Sequence, residues 1–81
     1  MKQIFVIKVK GHNVIDLDKW EYFTGNGSIF CSPEINDSLF YTSAFACVNA
    51  SQDIRMLKAS HPDCDFKVVE VEQITIIREK L

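Results

Sequence analysis

Apolar residues in the second half of the chain recur at the spacing of one helix face. Ala50, Ile54 and Leu57 fall on this face, and polar residues occupy most positions between them. Asn49 supplies a side-chain acceptor at the helix start, and Gln52 three residues later can reach back to complete a capping box. The pattern therefore predicts a helix that begins at Asn49.

A proline stop and a strand-like segment follow this helix. Pro62 disfavours helical geometry at the residue before it, so the helix is expected to end at His61. Phe66–Val71 is rich in β-branched residues and partly alternates, which is typical of a strand. Apolar residues then move from odd to even positions, which predicts a bulge, a turn or a change of packing layer at Glu72–Gln73 and a last strand over Ile74–Ile77.

The amino-terminal segment also has a strand pattern. Gln3–Lys10 carries apolar residues on both faces near its start, which favours a strand in the interior of a sheet. The segment Val14–Lys19 is ambiguous. Its apolar residues fit either a short strand or a loop that packs on the core.

A hairpin is predicted in the middle of the chain. Trp20–Thr24 and Ser28–Ser32 flank Asn26–Gly27, and Asn-Gly between two strand-like runs is a strong hairpin signal. A two-residue turn at this dipeptide would place an aromatic pair on one face, which favours that register. The expected pairs are Phe23 with Phe30 and Tyr22 with Cys31.

The segment Leu39–Val48 admits two interpretations. Its residue types are typical of a strand, which is the interpretation we prefer. The alternative starts the helix at Ser43, because Ala44, Cys47 and Val48 also fit a helical face. With either choice, residues 1–81 are expected to form a single α+β domain, in which one main helix packs on a mostly antiparallel sheet of about five or six strands.

Length and charge narrow the functional classes. A chain of 81 residues with a net charge of −2 offers no overall field to attract a polyanion, so nucleic acid is not expected as a partner. No run approaches the length of a membrane span, and Lys8 and Lys10 interrupt the apolar start without a cleavage site after it. We therefore expect a cytoplasmic protein. A domain of this size buries a modest share of its surface, which favours a homodimer.

The cysteines and one histidine are the main candidates for metal or thiol chemistry. His61 and Cys64 have a spacing seen in zinc loops, but Cys31 and Cys47 are far apart in sequence, whereas zinc sites usually use two close pairs. A catalytic Cys64 would need a base and an oxyanion loop that the local sequence lacks. We expect neither a catalytic residue, nor a metal, nor a cofactor.

An acidic and aromatic cluster is the best candidate for a binding surface. Aromatic anchors dominate protein interfaces, and acidic side chains around one can attract a basic partner. The predicted protein-binding residues are Asp16, Asp18, Trp20, Glu21 and Tyr22.

The arrangement of elements resembles that of small proteins encoded by phages and prophages. The resemblance lies in the initial strand Ile4–Lys8, the hairpin at Trp20, and the helix and strand between Asn49 and Val71. It covers most of the chain and contains no diagnostic motif. It implies a non-enzymatic protein that binds a host or defence-system protein, as host-takeover, anti-CRISPR and anti-restriction factors do.

Three functional hypotheses follow. The first is a protein-binding modulator or inhibitor that occludes its partner sterically. The second is a small nucleic-acid-binding regulator, whose basic residues Lys2, Lys8, Lys10 and Lys67 would gather on one sheet face. The third is a zinc- or thiol-dependent protein.

Overall fold

The computed structural model describes residues 3–81, so Lys2 of the second hypothesis lies outside the described residues. Among these residues it contains five strands, one α-helix and one short 3-10 helix. No helix in this range is long and apolar enough to cross a membrane. The strands are β1 (Ile4–Lys10), β2 (Trp20–Phe23), β3 (Cys31–Ser32), β4 (Asp65–Gln73) and β5 (Ile77–Glu79), the α-helix is α1 (Ala46–Ser60), and the 3-10 helix is Ile35–Asp37.

The strands form one curled antiparallel sheet in the order β3-β2-β1-β4-β5. β1 is the central strand, which confirms the interior position predicted from its apolar residues. The helix α1 packs across β1 and β4. The predicted α+β fold, with one main helix on an antiparallel sheet, is confirmed.

The two faces of the sheet follow from the alternation of side chains along β1. The face toward α1, here called the helix-covered face, carries Ile7 and Val9, which are 0% and 1% exposed. The opposite face, here called the far face, carries Val6, Lys8 and Lys10. Val6 is also 0% exposed, because the curl of the sheet covers this part of the far face.

The helix begins earlier than predicted. α1 starts at Ala46, with Phe45 as its N-cap residue and no side-chain cap hydrogen bond. The predicted cap at Asn49 and its capping box with Gln52 are therefore wrong. Asn49 lies in the first turn, where its side-chain amide donates to the Ser43 hydroxyl at 3.2 Å.

The preferred strand over Leu39–Val48 is also wrong, and the alternative of an earlier helix is closer. Within this segment only Tyr41 makes a β-bridge, opposite Phe5. The phenol of Tyr41 donates to the Asp53 carboxylate of α1 at 2.6 Å and so joins the segment to the helix. The Ser43 hydroxyl accepts the Phe45 amide at 3.3 Å, which turns the chain into the helix.

The hairpin register differs by one residue from the prediction. The observed pairs are Tyr22 with Ser32 and Phe23 with Cys31. The Thr24 amide donates to the Phe30 carbonyl at 3.1 Å, and Gly25 adopts a φ of +70°, which only glycine adopts without strain. The loop is therefore longer than a two-residue turn. The Phe23 and Phe30 rings still meet edge to face, with centroids 5.6 Å apart.

The carboxyl-terminal strands are joined by a turn that lies later than expected. β4 continues without interruption to Gln73, and the turn occupies residues 74–76, where the Ile74 amide donates to the Ile76 carbonyl at 3.1 Å. The last strand is therefore Ile77–Glu79 and not Ile74–Ile77. The shift of apolar residues from odd to even positions coincides with this turn, on which both Ile74 and Ile76 are exposed.

Candidate binding surface

Residues 13–19 of the connection from β1 to β2, here called the acidic loop, are held by their own polar side chains. The Asn13 side-chain oxygen accepts the amides of Ile15 at 3.0 Å and Asp16 at 3.3 Å. The Asp16 carboxylate accepts a hydrogen bond from the Asp18 amide at 3.1 Å, and the backbone carbonyl of Asp16 accepts one from the Lys19 amide at 3.2 Å. Such turns fix the backbone without burying apolar groups.

Apolar side chains of the acidic loop lie in solvent. Val14 is 88% exposed, Ile15 94% and Leu17 59%. The segment is thus neither a strand nor a loop packed on the core, which were the two structures considered for it. Three exposed apolar residues on one short loop make it a candidate interaction site, whereas isolated exposed apolar residues need no explanation.

Trp20 follows the acidic loop and lies among three lysines on the far face. The Lys67 ammonium is 4.3 Å from the centroid of the Trp20 ring, the Lys10 ammonium 5.8 Å and the Lys8 ammonium 6.0 Å. Strand pairing brings them together, because Lys10 lies opposite Trp20 and Lys8 lies opposite both Tyr22 and Lys67. At these distances the ammonium groups are attracted to the negative face of the ring.

One of these lysines is already neutralised within the fold. Lys8 donates to Glu79 Oε2 at 2.9 Å, and the Tyr22 phenol donates to the same oxygen at 2.6 Å. These two hydrogen bonds stabilise the carboxylate and lower the pKa of Glu79. Burial, together with the Glu79 charge, raises the pKa of Tyr22 to about 12.

The other two lysines have no anionic partner in the described residues. Neither Lys10 nor Lys67 has a carboxylate oxygen within 4.0 Å among residues 3–81. Lys67 is exposed, and Lys10 and Trp20 are half-buried. We call Trp20, Lys10 and Lys67 the Trp20 surface.

The structure places the predicted binding residues in different environments. Trp20 and Tyr22 share the far face, and Asp16 and Asp18 lie in the adjacent acidic loop. Glu21 points to the helix-covered face, where it is 9% exposed and accepts the Cys31 thiol at 3.6 Å. Glu21 therefore does not belong to the same surface as Trp20.

The predicted protein-binding residues did not include two lysines at Trp20 or the apolar residues of the acidic loop. The alternation of Lys8 and Lys10 with apolar neighbours indicated their common face, but the contact of Lys67 with Trp20 depends on pairing between distant strands. The apolar residues of the acidic loop were predicted to lie in a short strand or in a loop that packs on the core. The residues outside the predicted protein-binding set are Val14, Ile15, Leu17, Lys10 and Lys67, of which the two lysines were assigned to one sheet face under the nucleic-acid hypothesis.

Cys31 and Cys64 lie in environments that suppress thiolate formation. Burial and the Glu21 charge raise the pKa of Cys31 to about 12, and burial also raises the pKa of Cys64. Cys47 is exposed on α1. His61 stacks on Phe30, with ring centroids 4.2 Å apart. Among residues 3–81 no group of three or more potential ligand side chains is placed to hold a metal ion.

The fold and this site define a small α+β protein with a mixed apolar, acidic and basic surface at one end of its sheet. Comparison of the chain with protein-family models, with curated protein sequences and with solved structures finds no match. The function is therefore inferred from the geometry of this surface.

Proposed function

We propose that the chain is a non-enzymatic protein-binding modulator, which covers a surface of its partner with the acidic loop and the Trp20 surface. The observation that carries the proposal is the exposure of Val14, Ile15 and Leu17 on a loop that its own hydrogen bonds hold in place. A loop fixed in this way presents apolar side chains at a reduced entropy cost on binding. Trp20, at the end of the loop, supplies an aromatic anchor.

The mixture of charges favours a protein partner. Asp16 and Asp18 are exposed in the loop that leads into Trp20, and Lys10 and Lys67, which have no carboxylate partner among residues 3–81, lie at the Trp20 ring. Charges of both signs around an apolar centre are typical of protein interfaces. A role against a host or defence-system protein, and action as a cytoplasmic homodimer, are parts of this proposal that rest on sequence alone.

Affinity capture from a lysate of the native host tests the proposal. Wild-type protein, a V14S/I15S/L17S variant and a W20A variant are compared by quantitative mass spectrometry. The expected result is one specific partner that the wild type retains and both variants lose. The substituted side chains are exposed or half-buried, so thermal unfolding should confirm that the variants stay folded.

A control removes other exposed apolar groups, from the outer side of α1. Met56 is 70% exposed and Val48 54%, so V48S/M56S changes surface hydrophobicity at a different place. This variant should retain the partner. The proposal is wrong if the loop variant keeps the partner, or if the control loses it to the same extent.

Nucleic-acid binding is a second candidate, favoured by one observation. Lys8, Lys10 and Lys67 do share the far face, as that hypothesis requires. However, Glu79 neutralises Lys8, and the acidic loop adds repulsion beside the other two. A generic duplex should therefore bind weakly even at low salt. Tight binding that falls steeply with salt would favour this candidate instead.

A further inference from the structure

The Trp20 surface contains two ammonium groups that converge on one aromatic ring. The Lys67 and Lys10 nitrogens lie 4.3 Å and 5.8 Å from the ring centroid. They come from β4 and β1, so the sheet fixes the origins of both side chains while the lysine stems remain free to adjust. An anionic group at the Trp20 ring would therefore be attracted by both ammonium groups.

The charges around this pair limit how much negative charge the site can accept. Asp65 lies directly opposite Lys10 in the strand register and is exposed, and Asp16 and Asp18 lie in the acidic loop that leads into Trp20. An extended polyanion would bring its further charges close to these carboxylates. The surroundings therefore favour a single carboxylate over a phosphate backbone.

The exposed apolar residues of the acidic loop indicate which residue types flank the carboxylate in the partner segment. Val14, Ile15 and Leu17 are exposed on the acidic loop, and this loop ends directly before Trp20. A partner segment that places an acidic side chain on the lysines would bring its neighbouring residues to these apolar groups. Aliphatic neighbours would then lose contact with water, which is favourable.

We infer that the Trp20 surface is a subsite for one carboxylate from a segment of the partner protein in which a single acidic residue is flanked by aliphatic residues. The inference rests on the proposed function, because it specifies the partner chemistry of the same surface. Lys10 and Lys67 bind the carboxylate, Trp20 packs against its side chain, and the acidic loop covers the aliphatic neighbours.

The fluorescence of Trp20 gives a direct assay, because Trp20 is the only tryptophan in the chain. The probe is a synthetic peptide with one Glu flanked by Leu residues and with blocked ends, titrated into the full chain at low and at high salt. A second peptide has Gln in place of Glu, and a third probe is a single-stranded oligothymidylate.

The Glu peptide should change the Trp20 emission and bind more weakly at high salt. The Gln peptide should bind at least about tenfold more weakly, as expected for loss of a charge-assisted contact.

A pair of charge-matched variants tests whether Lys10 and Lys67 bind the carboxylate. K10Q/K67Q removes two positive charges at the Trp20 surface, and R78Q/K80Q removes two from exposed residues on and after β5. The first variant should lose at least about tenfold in affinity for the Glu peptide, while the second should change it by less than about threefold. Equal losses in the two variants would show a general charge effect and overturn the inference.

Three further results would also overturn it. These are no emission change with the Glu peptide at low salt, equal binding of the Glu and Gln peptides, and tighter binding of oligothymidylate than of the Glu peptide. The last would assign the surface to single-stranded nucleic acid. The proposed function fails separately, when the loop variant V14S/I15S/L17S retains the captured partner although K10Q/K67Q has lost the Glu peptide.

Discussion

The two faces of the sheet differ in what their side chains do, although they alternate along the same strands. On the helix-covered face, Ile7 and Val9 are at most 1% exposed and point toward α1. On the far face, Lys8 lies between them in sequence and binds Glu79, while Lys10 lies beside Trp20 without a carboxylate partner among residues 3–81. The period-two alternation of β1 thus separates residues that stabilise the fold from residues available for contact.

The far face itself has two different ends. Toward the start of β1, Val6 is fully buried, and the curl of the sheet brings β5 near the 3-10 helix. Toward the end of β1, Lys10 and Trp20 are half-buried and Lys67 is exposed. Binding is therefore expected at the end where β1, β2 and β4 meet the acidic loop, and stability is expected to depend on the rest.

The largest expected effect is on the helix-covered face. Ile7→Ala removes a fully buried side chain from the central strand and leaves a cavity against α1, so the free energy of unfolding should fall by about 2–5 kcal/mol. Urea unfolding followed by circular dichroism measures the change. Met56→Ala, at a 70% exposed helix position, is the control and should stay within about 0.5 kcal/mol of wild type. A loss below about 1 kcal/mol for Ile7→Ala would contradict the assignment of the core.

The next effect concerns the polar centre of the far face. Glu79→Gln removes the charge that Lys8 and Tyr22 both contact, and leaves the ammonium of Lys8 in a site where its side chain is 14% exposed. The free energy of unfolding should fall by about 1–3 kcal/mol. Glu72→Gln is the matched control, because Glu72 pairs with the exposed Arg78 at 3.5 Å. It should cost less than about 1 kcal/mol, and equal losses in the two variants would show that the Glu79 contacts add nothing.

The lowered pKa of Glu79 also predicts a pH dependence. In the folded state the pKa of this carboxyl lies below its ordinary value of 4.5, so the carboxylate contributes fully to stability at pH values above 4.5. As the pH falls through 4.5 toward the folded pKa, the unfolded chain takes up the proton first, and the contribution is lost. The stability difference between wild type and Glu79→Gln should therefore shrink over this range in urea titrations. A difference that stays constant below pH 4.5 would contradict the pKa shift.

The smallest expected effect is in the acidic loop. Asn13→Ala removes the acceptor of the Ile15 and Asp16 amides, and because the loop is exposed the loss of global stability should be about 1 kcal/mol or less. Hydrogen exchange should nevertheless become faster at these two amides. Recovery of the captured partner should also decrease, since the loop would have to be ordered on binding. Unchanged exchange would show that Asn13 does not hold the loop.

The strands β1 and β4 could be predicted from sequence because their β-branched alternation is independent of the rest of the fold. The helix start could not, because Asn49 has the chemistry of an N-cap, whereas the turn at Ser43 starts the helix one turn earlier. The hairpin register was missed because the conformation of Thr24 and Gly25 lengthens the loop and moves Phe30 out of the ladder.

For the candidate site, the sequence identified the correct part of the chain but not which side chains share one face of the sheet. Trp20, Asp16 and Asp18 were selected by residue type, and they lie on or beside the surface now described. Glu21 was selected by proximity in sequence, but alternation along β2 turns it to the helix-covered face. The contact of Lys67 with Trp20 depends on the pairing of β4 with β1, which local pattern does not determine.

The most direct test of the account is to map the binding surface residue by residue. Amide chemical shifts of the isotope-labelled chain are followed by NMR while the Glu and Leu peptide is added. The account predicts that the largest shifts fall at Lys10, Trp20, Lys67 and the acidic loop, residues 13–19. Largest shifts at Val48 and Met56 on the outer side of α1 would contradict it.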